Sequence, residues 1–284
     1  MQLLTLTHGA MRCDLLPALG GAIAGLWFEH IAVLRPPPAA GLASVREAGS
    51  YPLLPFSNRI GQARMQWDGV SYALAPNFAP EPHAIHGVGW QRPWAISEKG
   101  SNFAQLSLQH VGDSGWPFAF DGRQTLQLHA NALELHLVLT NRAGHAAPMG
   151  LGWHPYFAKR PGSRISFAAT GRWEMGPDKL PTHRLPMLGL QAPCATLDVD
   201  HCFDGWSGIV QLQDDCLRST LSSDLDHLVV FTHPSRDFVA IEPVSHVNNA
   251  LNLAVGGDVR ALGVQVLEPG QSMTAQMRIT VQPT

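Results

Sequence analysis

The sequence predicts an all-β fold, an antiparallel β-sandwich or barrel. Apolar residues alternate with polar ones over many short segments, and this period of two is typical of strands with one buried face. The 284 residues include 27 glycines and 22 prolines spread along the chain, which favours many turns and few long helices. Only residues 44–48 and 246–253 are candidates for short helices. No linker-like segment or internal repeat divides the chain, so we predict a single domain over residues 1–284.

Two hairpins can be read directly from the alternation. Met65 and Trp67 alternate with polar neighbours, Asp68-Gly69 fits a tight turn, and the alternation resumes at Val70. The second hairpin carries leucine at 126 and 128 and at every second position from 133 to 139, on either side of a turn around residues 129–131. Further predicted strands are residues 103–111, 209–213, 217–221, 227–232, 238–242 and 273–281.

The composition excludes several classes of protein. Charged residues make up 14% of the chain and the net charge is −3, so nothing indicates a nucleic-acid partner or an anionic membrane. The N-terminus lacks a signal peptide and no run reaches the ~18 apolar residues of a membrane helix, so we expect a soluble, cytoplasmic protein. The four cysteines lack CxxC spacing, which predicts reduced, mostly buried thiols rather than a zinc site.

Two polar motifs lie in the first third of the chain. Asn58-Arg59 follows an apolar run with two prolines; an arginine there suits hydroxyl or carboxylate oxygens, although a surface salt bridge is equally compatible. His83 and His86 form an HxxH motif preceded by Glu81. In a strand, however, side chains three residues apart point to opposite faces, and no third ligand has a recognisable spacing. We therefore predict no metal site.

Two further motifs lie in the second half. His154 stands between aromatic residues and before Pro155; taken alone, it is typical of a core histidine whose hydrogen bonds are satisfied. Glu242 ends a strongly apolar segment and precedes Pro243. Burial of a carboxylate there would raise its pKa and favour a general base, unless a hydrogen-bond partner restores the ordinary value.

Together these segments resemble the aldose 1-epimerase (galactose mutarotase) family over about residues 50–255. The motifs that carry the resemblance, in the family's order, are Asn58-Arg59, His86-Gly87, His154-Pro155-Tyr156-Phe157, Asp200-His201-Cys202-Phe203 and Glu242-Pro243. The resemblance implies a large antiparallel β-sandwich, the galactose mutarotase-like supersandwich. It also implies interconversion of the α and β anomers of a free aldose, with neither metal nor cofactor.

The resemblance assigns roles to individual residues. Glu242 would be the general base that takes the proton of the C1 hydroxyl, and His154 the general acid that protonates the ring oxygen. Substrate contacts are expected from Asn58, Arg59, His86 and Asp200, with Arg59 and His86 polarising the ring oxygen and Asp200 accepting from a hydroxyl such as that on C2. Trp153, beside His154, is expected to cover an apolar face of the sugar. The expected partner is a small-molecule sugar, bound by a monomer or homodimer.

Departures from the family pattern leave the sugar open. His86-Gly87-Val88-Gly89 replaces the commoner His-Gly-Gly, and the residues after Glu242 also differ. Three alternatives remain: a non-catalytic carbohydrate-binding protein; a hexose 6-phosphate mutarotase, whose cationic phosphate pocket could use Arg92, Arg123 or Arg142; and a metal-dependent isomerase of the cupin type that binds metal through His83 and His86.

Overall fold

The alternating segments form strands throughout the computed structural model, which describes residues 2–254 and 257–284. In chain order the strands are β1 (Leu4–His8), β2 (Met11–Leu16), β3 (Ala22–Phe28), β4 (Ile31–Ala32), β5 (Pro52–Leu53), β6 (Arg59–Ile60), β7 (Arg64–Trp67), β8 (Val70–Ala73), β9 (Ala84–Ile85), β10 (Ala95–Lys99), β11 (Phe103–His110), β12 (Phe120–His129), β13 (Ala132–Asn141) and β14 (Ala147–Met149). They continue as β15 (Gly152–Trp153), β16 (Tyr156–Ala158), β17 (Arg164–Phe167), β18 (Gly171–Met175), β19 (Pro181–Pro186), β20 (Leu190–Pro193), β21 (Val199–Asp204), β22 (Ile209–Gln213), β23 (Leu217–Ser223), β24 (His227–Thr232), β25 (Phe238–Val244), β26 (Gln265–Leu267) and β27 (Ser272–Pro283).

Two large antiparallel sheets dominate the architecture and confirm the predicted all-β sandwich. One has nine strands in the order β10-β11-β12-β13-β27-β23-β22-β17-β20. The other has eight strands, in the order β19-β18-β21-β24-β25-β15-β5 with β16 paired to β25. A smaller four-stranded sheet is formed by β1 to β4. Short turns join some neighbouring strands, such as β12 to β13 and β22 to β23, whereas others, such as β13 and β27, are far apart in the sequence.

The two large sheets share one apolar core. The alternating leucines of β12 and β13 are fully buried, and they belong to the same cluster as Leu228 and Val230 of β24 and Val239 and Ile241 of β25. Full burial of an aliphatic side chain of this size stabilises a fold by ~1.5–3 kcal/mol. Both central strands of the eight-stranded sheet are therefore fixed in register, because a one-residue slip would expose these side chains.

The opposite face of the eight-stranded sheet is buried by a second apolar cluster. Cys202, Val229 and Ala240, from the adjacent strands β21, β24 and β25, belong to it. Even-numbered residues of β21 and β25 point to this face and odd-numbered ones to the shared core, as strand geometry requires. Asp200 and Glu242 consequently lie on the face away from the nine-stranded sheet.

The predicted hairpins are confirmed: β7 pairs with β8 and β12 with β13. Both candidates for short helices are helical in part. Residues 44–48 form only a 3-10 turn, Val45–Glu47, and within 246–253 only Ala250–Leu253 is α-helical (α1). Other 3-10 turns are Gly61–Ala63, Gly89–Gln91 and Val259–Leu262.

The prediction that the cysteines are mostly buried thiols is confirmed. Cys13, Cys194 and Cys202 are buried free thiols, and Cys216 is exposed. A search for membrane spans within residues 2–254 and 257–284 finds no helix with the length and apolar character to cross a bilayer.

Candidate active site

A cavity of about 550 Å³ opens on the second face of the eight-stranded sheet, within the usual size range for small-molecule sites. Its wall includes six of the seven side chains that the sequence singled out as functional, namely Asn58, Arg59, His86, His154, Asp200 and Glu242. They come from segments up to 184 residues apart. The sheet brings them together because each lies on the same side of its strand or in the loop that covers that side.

Trp153 does not reach the cavity, and its predicted contact with a sugar is corrected accordingly. Its side chain is 1% exposed and belongs to the core between the two large sheets. The indole Nε1–H donates to Oε1 of Gln124 on the opposing sheet, at 2.9 Å. Since consecutive side chains of a strand point to opposite faces, burying Trp153 in the core places the next side chain, that of His154, in the cavity.

His154 and Glu242 form the chemical centre of the cavity. Nε2 of His154 lies 3.1 Å from Oε1 of Glu242, and both side chains are buried. Burial raises the pKa of Glu242 well above its ordinary value, and nearby Asp200 adds to the shift. Burial also lowers the pKa of His154 to about 3. The pair is therefore most stable without net charge. Besides the N–H of the neutral imidazole, it then holds one titratable proton, which the two groups share.

The outer atoms of this pair are left unsatisfied. Nδ1 of His154 and Oε2 of Glu242 are buried, and neither has a hydrogen-bond partner within the part of the chain that the structure describes. Leaving a buried polar group without a partner costs about 1–3 kcal/mol. Such a cost is typical of functional sites, where a ligand completes the hydrogen bonding.

His86 presents a neutral donor to the cavity. Its Nδ1 accepts the backbone N–H of Asn58 at 3.1 Å, so its proton resides on Nε2. Burial lowers the pKa of His86 well below its ordinary value, and the neighbouring His154 and Arg59 lower it further. The backbone N–H of His86 donates in turn to the carbonyl of Asn58 at 2.8 Å. This reciprocal contact fixes the imidazole against the Asn58 loop.

Gly87 makes this arrangement possible because the chain passes very close to Leu54. Gly87 has a φ of +67°, and a Cβ placed there would lie 1.9 Å from the carbonyl oxygen of Leu54. We expect Gly87→Ala to lower the free energy of unfolding by about 2–5 kcal/mol through strain and backbone clash. Urea unfolding followed by circular dichroism measures this loss.

Gly144→Ala is the matched control, because a Cβ there meets no atom within 4 Å. We expect it to change the stability by less than about 0.5 kcal/mol. Equal losses for the two variants would contradict the packing account of Gly87.

Arg59 is already engaged by protein atoms. Its Nε and Nη2 donate to the two carboxylate oxygens of Glu81 at 2.7 and 3.0 Å, and Lys179 donates to Glu81 as well. These cations lower the pKa of Glu81 to about 2. Nη1 of Arg59 lies 3.4 Å from Oδ1 of Asn58. Arg59 therefore forms a salt bridge, but this bridge lies in the cavity wall and not on the surface, where the alternative interpretation expected it.

Asp200 faces the cavity from β21, close to Arg59. Burial raises its pKa, and the nearby positive charges of Arg59 and Lys179 partly oppose that shift. A carboxylate held here can accept hydrogen bonds from sugar hydroxyls.

Two tyrosines that the sequence analysis did not assign connect to His154. The hydroxyl of Tyr156 lies 3.4 Å from Nε2 of His154, and its ring stacks on the imidazole with 4.3 Å between centroids. Tyr51 contacts Tyr156 through their hydroxyl oxygens at 3.0 Å. Tyr156 was visible within the His-Pro-Tyr-Phe motif, whereas nothing in the sequence marks Tyr51.

His83 and His246 lie outside the cavity wall and have structural contacts. Nδ1 of His83 accepts from the backbone of Gln62, and its Nε2 lies 3.0 Å from the carbonyl of Asp178. Nε2 of His246 accepts the backbone N–H of Ser57 at 3.0 Å. A metal site built on His83 and His86 is therefore wrong. The ligand atoms of His86, His154 and Glu242 do lie within 4.8 Å of one another, so the absence of metal stays a prediction for elemental analysis.

The arginines suggested for a phosphate pocket lie elsewhere. Arg92 pairs with Asp113 and Arg142 with Asp121. Arg123 lines a separate surface depression with Arg142. None of the three lines the cavity of His154 and Glu242, so that form of the phosphate hypothesis is wrong.

Comparison with known proteins agrees with this geometry. A family model described as aldose 1-epimerase matches residues 2–280. The chain is 30% identical to the uncharacterised protein YphB of Escherichia coli K12, in an alignment that covers 99% of each protein. A second E. coli K12 relative, 27% identical to this chain, is the uncharacterised protein YihR, with 84% of this chain and 82% of YihR aligned.

Solved structures show the same fold. A crystal structure from E. coli K12, provisionally assigned as an aldose 1-epimerase, superposes with a TM-score of 0.89 at 27% identity and covers 100% of this chain and 99% of its own. A galactose mutarotase-like protein from Clostridium acetobutylicum gives a TM-score of 0.87 at 16% identity over 99% of this chain and 95% of its own, which speaks for the fold alone. Because the family match extends over nearly the whole sequence, the chain belongs to the aldose 1-epimerase family.

Proposed function

We propose that the protein is an aldose 1-epimerase, a mutarotase that interconverts the α and β anomers of an aldose by acid/base opening and closure of the ring. One observation carries the proposal: an imidazole and a carboxylate lie 3.1 Å apart, both buried, in the wall of a sugar-sized cavity. Mutarotation needs one base and one acid acting on neighbouring oxygens, and this pair supplies both.

The proton balance of the reaction fits a pair that holds a single proton. Transfer of that proton from Glu242 to His154 creates a carboxylate base and an imidazolium acid without exchange with solvent. Glu242 then takes the proton of the C1 hydroxyl while His154 protonates the ring oxygen, and the bond between C1 and the ring oxygen breaks. The aldehyde end rotates, and the reverse transfers close the ring from the other face. The pair ends with the one proton it started with.

The remaining residues position the sugar. The Nε2–H of His86 can donate to the ring oxygen or a nearby hydroxyl, and the Asp200 carboxylate can accept from a hydroxyl such as that on C2. Arg59 donates three of its five N–H groups to Glu81 and Asn58, which leaves two that can reach a sugar hydroxyl. It sets the charge beside Asp200 and Glu242, and its positive field opposes the upward pKa shift of both carboxyls.

The proposal is tested by polarimetry on freshly dissolved α anomers of glucose, galactose, xylose and arabinose and on glucose 6-phosphate. We expect the relaxation rate of at least one sugar to rise in proportion to protein concentration above the spontaneous rate. Heat-denatured protein is the control for buffer catalysis. Measurable sugar binding without acceleration of mutarotation would contradict the enzyme function and favour the alternative, a non-catalytic carbohydrate-binding protein.

The pH profile gives a second test of the pair. A second proton would remove the base, and loss of the shared proton would remove the acid. Since burial lowers the pKa of His154 to about 3 and raises that of Glu242, we expect a constant catalysed rate across neutral pH. The acid limb should lie well below the ordinary histidine pKa of about 6.5, and the alkaline limb well above the ordinary carboxyl range.

The measurement is the catalysed rate after subtraction of the spontaneous rate at each pH, with circular dichroism to confirm folding. An acid limb near pH 6.5, as for an exposed histidine, would contradict the shared-proton account.

A further inference from the structure

The basic side chains of the cavity fall into two groups. Arg59 and Lys179 lie on the side of Asp200, and both pair with the carboxylate of Glu81. Arg35, Arg46 and Arg236 also line the cavity, yet none of these three has a carboxylate within 4.0 Å among the residues that the structure describes. Glu47 also lines the cavity, but its carboxylate accepts from the backbone N–H groups of Ala43 and Ser44. The lining as a whole holds five basic side chains and four acidic ones, an excess of positive charge in a chain whose net charge is −3.

Aromatic rings hold the three arginines, which we call the arginine cluster, in the cavity wall. The Arg35 guanidinium carbon lies 4.1 Å from the ring centroid of Tyr156, and that of Arg46 lies 3.8 Å from the centroid of Phe78. Arg35 and Arg236 both contact Phe238, at 4.9 and 6.0 Å. A guanidinium stacked on a ring keeps its edge N–H groups free for an oxyanion.

Arg35 fixes the centre of the cluster. Its Nη2 donates to the backbone carbonyls of Arg46 and Ala48 at 2.5 and 2.9 Å. Its Nε is buried and has no hydrogen-bond partner anywhere in residues 2–254 or 257–284. A buried charged donor without a partner is costly unless a ligand completes it.

The position of the cluster relative to the acid identifies the part of the sugar it would meet. Arg35 packs on Tyr156, and Tyr156 stacks on His154. In the proposed reaction His154 protonates the ring oxygen. The carbon on the far side of that oxygen carries the terminal carbon of an aldohexopyranose, whereas C2, on the other side of C1, would face Asp200 under the proposed roles. A substituent on the terminal carbon would then extend toward Arg35.

We propose that the substrate is an aldose with an oxyanion on its terminal carbon, held by Arg35, Arg46 and Arg236. This inference rests on the proposed mutarotase function and narrows its substrate class. Phosphate, sulfonate and carboxylate share the required chemistry, since each offers several oxygens to guanidinium N–H groups. The phosphate hypothesis thus returns with a different set of arginines from the one that the sequence suggested.

The test compares anomer exchange by NMR for glucose, glucose 6-phosphate, glucuronate and 6-deoxy-6-sulfoglucose. We expect kcat/KM for at least one anionic sugar to exceed that for glucose by about tenfold or more, a factor within the range of one charge-assisted hydrogen bond. The anionic sugar with the highest kcat/KM identifies which oxyanion the arginine cluster prefers.

Variants of the arginine cluster distinguish specific binding of the oxyanion from a general electrostatic attraction of anionic sugars to the protein. Arg46→Gln and Arg236→Gln change exposed side chains, and each should lower the ratio of anionic to neutral kcat/KM by about tenfold. Arg123→Gln removes an equal charge from the separate surface depression and should leave the ratio unchanged.

Equal kcat/KM for glucose and all anionic sugars would overturn the inference while leaving the mutarotase standing. A ratio unchanged in both cluster variants would also overturn it. Failure to accelerate any sugar, neutral or anionic, would overturn the mutarotase function itself.

Discussion

Glu242→Gln should abolish the acceleration of mutarotation, with a loss of about 10²- to 10⁴-fold in the catalysed rate. The amide has nearly the shape of the carboxyl group but cannot take the C1 hydroxyl proton. It also ends the proton exchange with Nε2 of His154, which lies 3.1 Å away. The fold should persist, because the buried carboxyl group is replaced by a neutral group of the same size. Sugar binding by titration calorimetry should therefore survive while the polarimetric rate falls to the spontaneous value.

Glu134→Gln is the control for the removal of a carboxylate. Glu134 lies on β13 of the other large sheet and pairs with Arg278 and His136, so its loss should leave catalysis unchanged. Full activity of the Glu242→Gln variant would contradict the assignment of Glu242 as the general base.

His154→Gln should cause a loss of similar size. Glutamine retains much of the volume but cannot donate a full proton to the ring oxygen. Because base and acid share one proton, the two substitutions should not multiply: the double variant should be no slower than the slower single variant. The measurement is the catalysed anomer exchange rate of the wild type, both single variants and the double variant at one neutral pH.

Multiplicative losses in the double variant would show that the two groups act independently and would refute the shared proton. Thermal unfolding of each variant identifies any loss that comes from misfolding. Loss of the stacking contact with Tyr156 should appear there as a small drop in stability.

Much of the fold was predictable because its long strands have one face in a common core. The alternating leucines of β12 and β13 marked a hairpin that the structure confirms in register. Strand β19 escaped prediction, since it begins and ends with proline and is mostly exposed. Only the second half of the helix candidate 246–253 is helical, because Asn249 adopts a left-handed conformation, φ 57°, and the helix begins after it.

The site was predictable only where motifs are local. Motifs that resemble those of the aldose 1-epimerase family marked Asn58, His86, His154, Asp200 and Glu242, and all five line the cavity. The error on Trp153 came from treating adjacency in sequence as adjacency in space. The two faces of a strand separate neighbours, and Trp153 therefore packs in the core while His154 reaches the cavity.

Long-range pairing was beyond the sequence. Nothing in the chain indicates that Arg59 bonds Glu81, 22 residues away, or that Lys179 joins them. The arginine cluster has the same origin. Arg35 and Arg46 lie in the connection between β4 and β5, Arg236 lies in the loop between β24 and β25, and the fold brings the two segments around one cavity.

The most direct test of the central claim is NMR exchange spectroscopy at anomeric equilibrium, with wild-type protein and with the Glu242→Gln variant. At equilibrium no net reaction occurs, so the exchange peaks between α and β signals report only the interconversion rate. We predict exchange that grows with wild-type concentration for at least one aldose, and spontaneous exchange alone with the variant. Binding of an aldose by the wild type without faster exchange of any sugar tested would contradict the account.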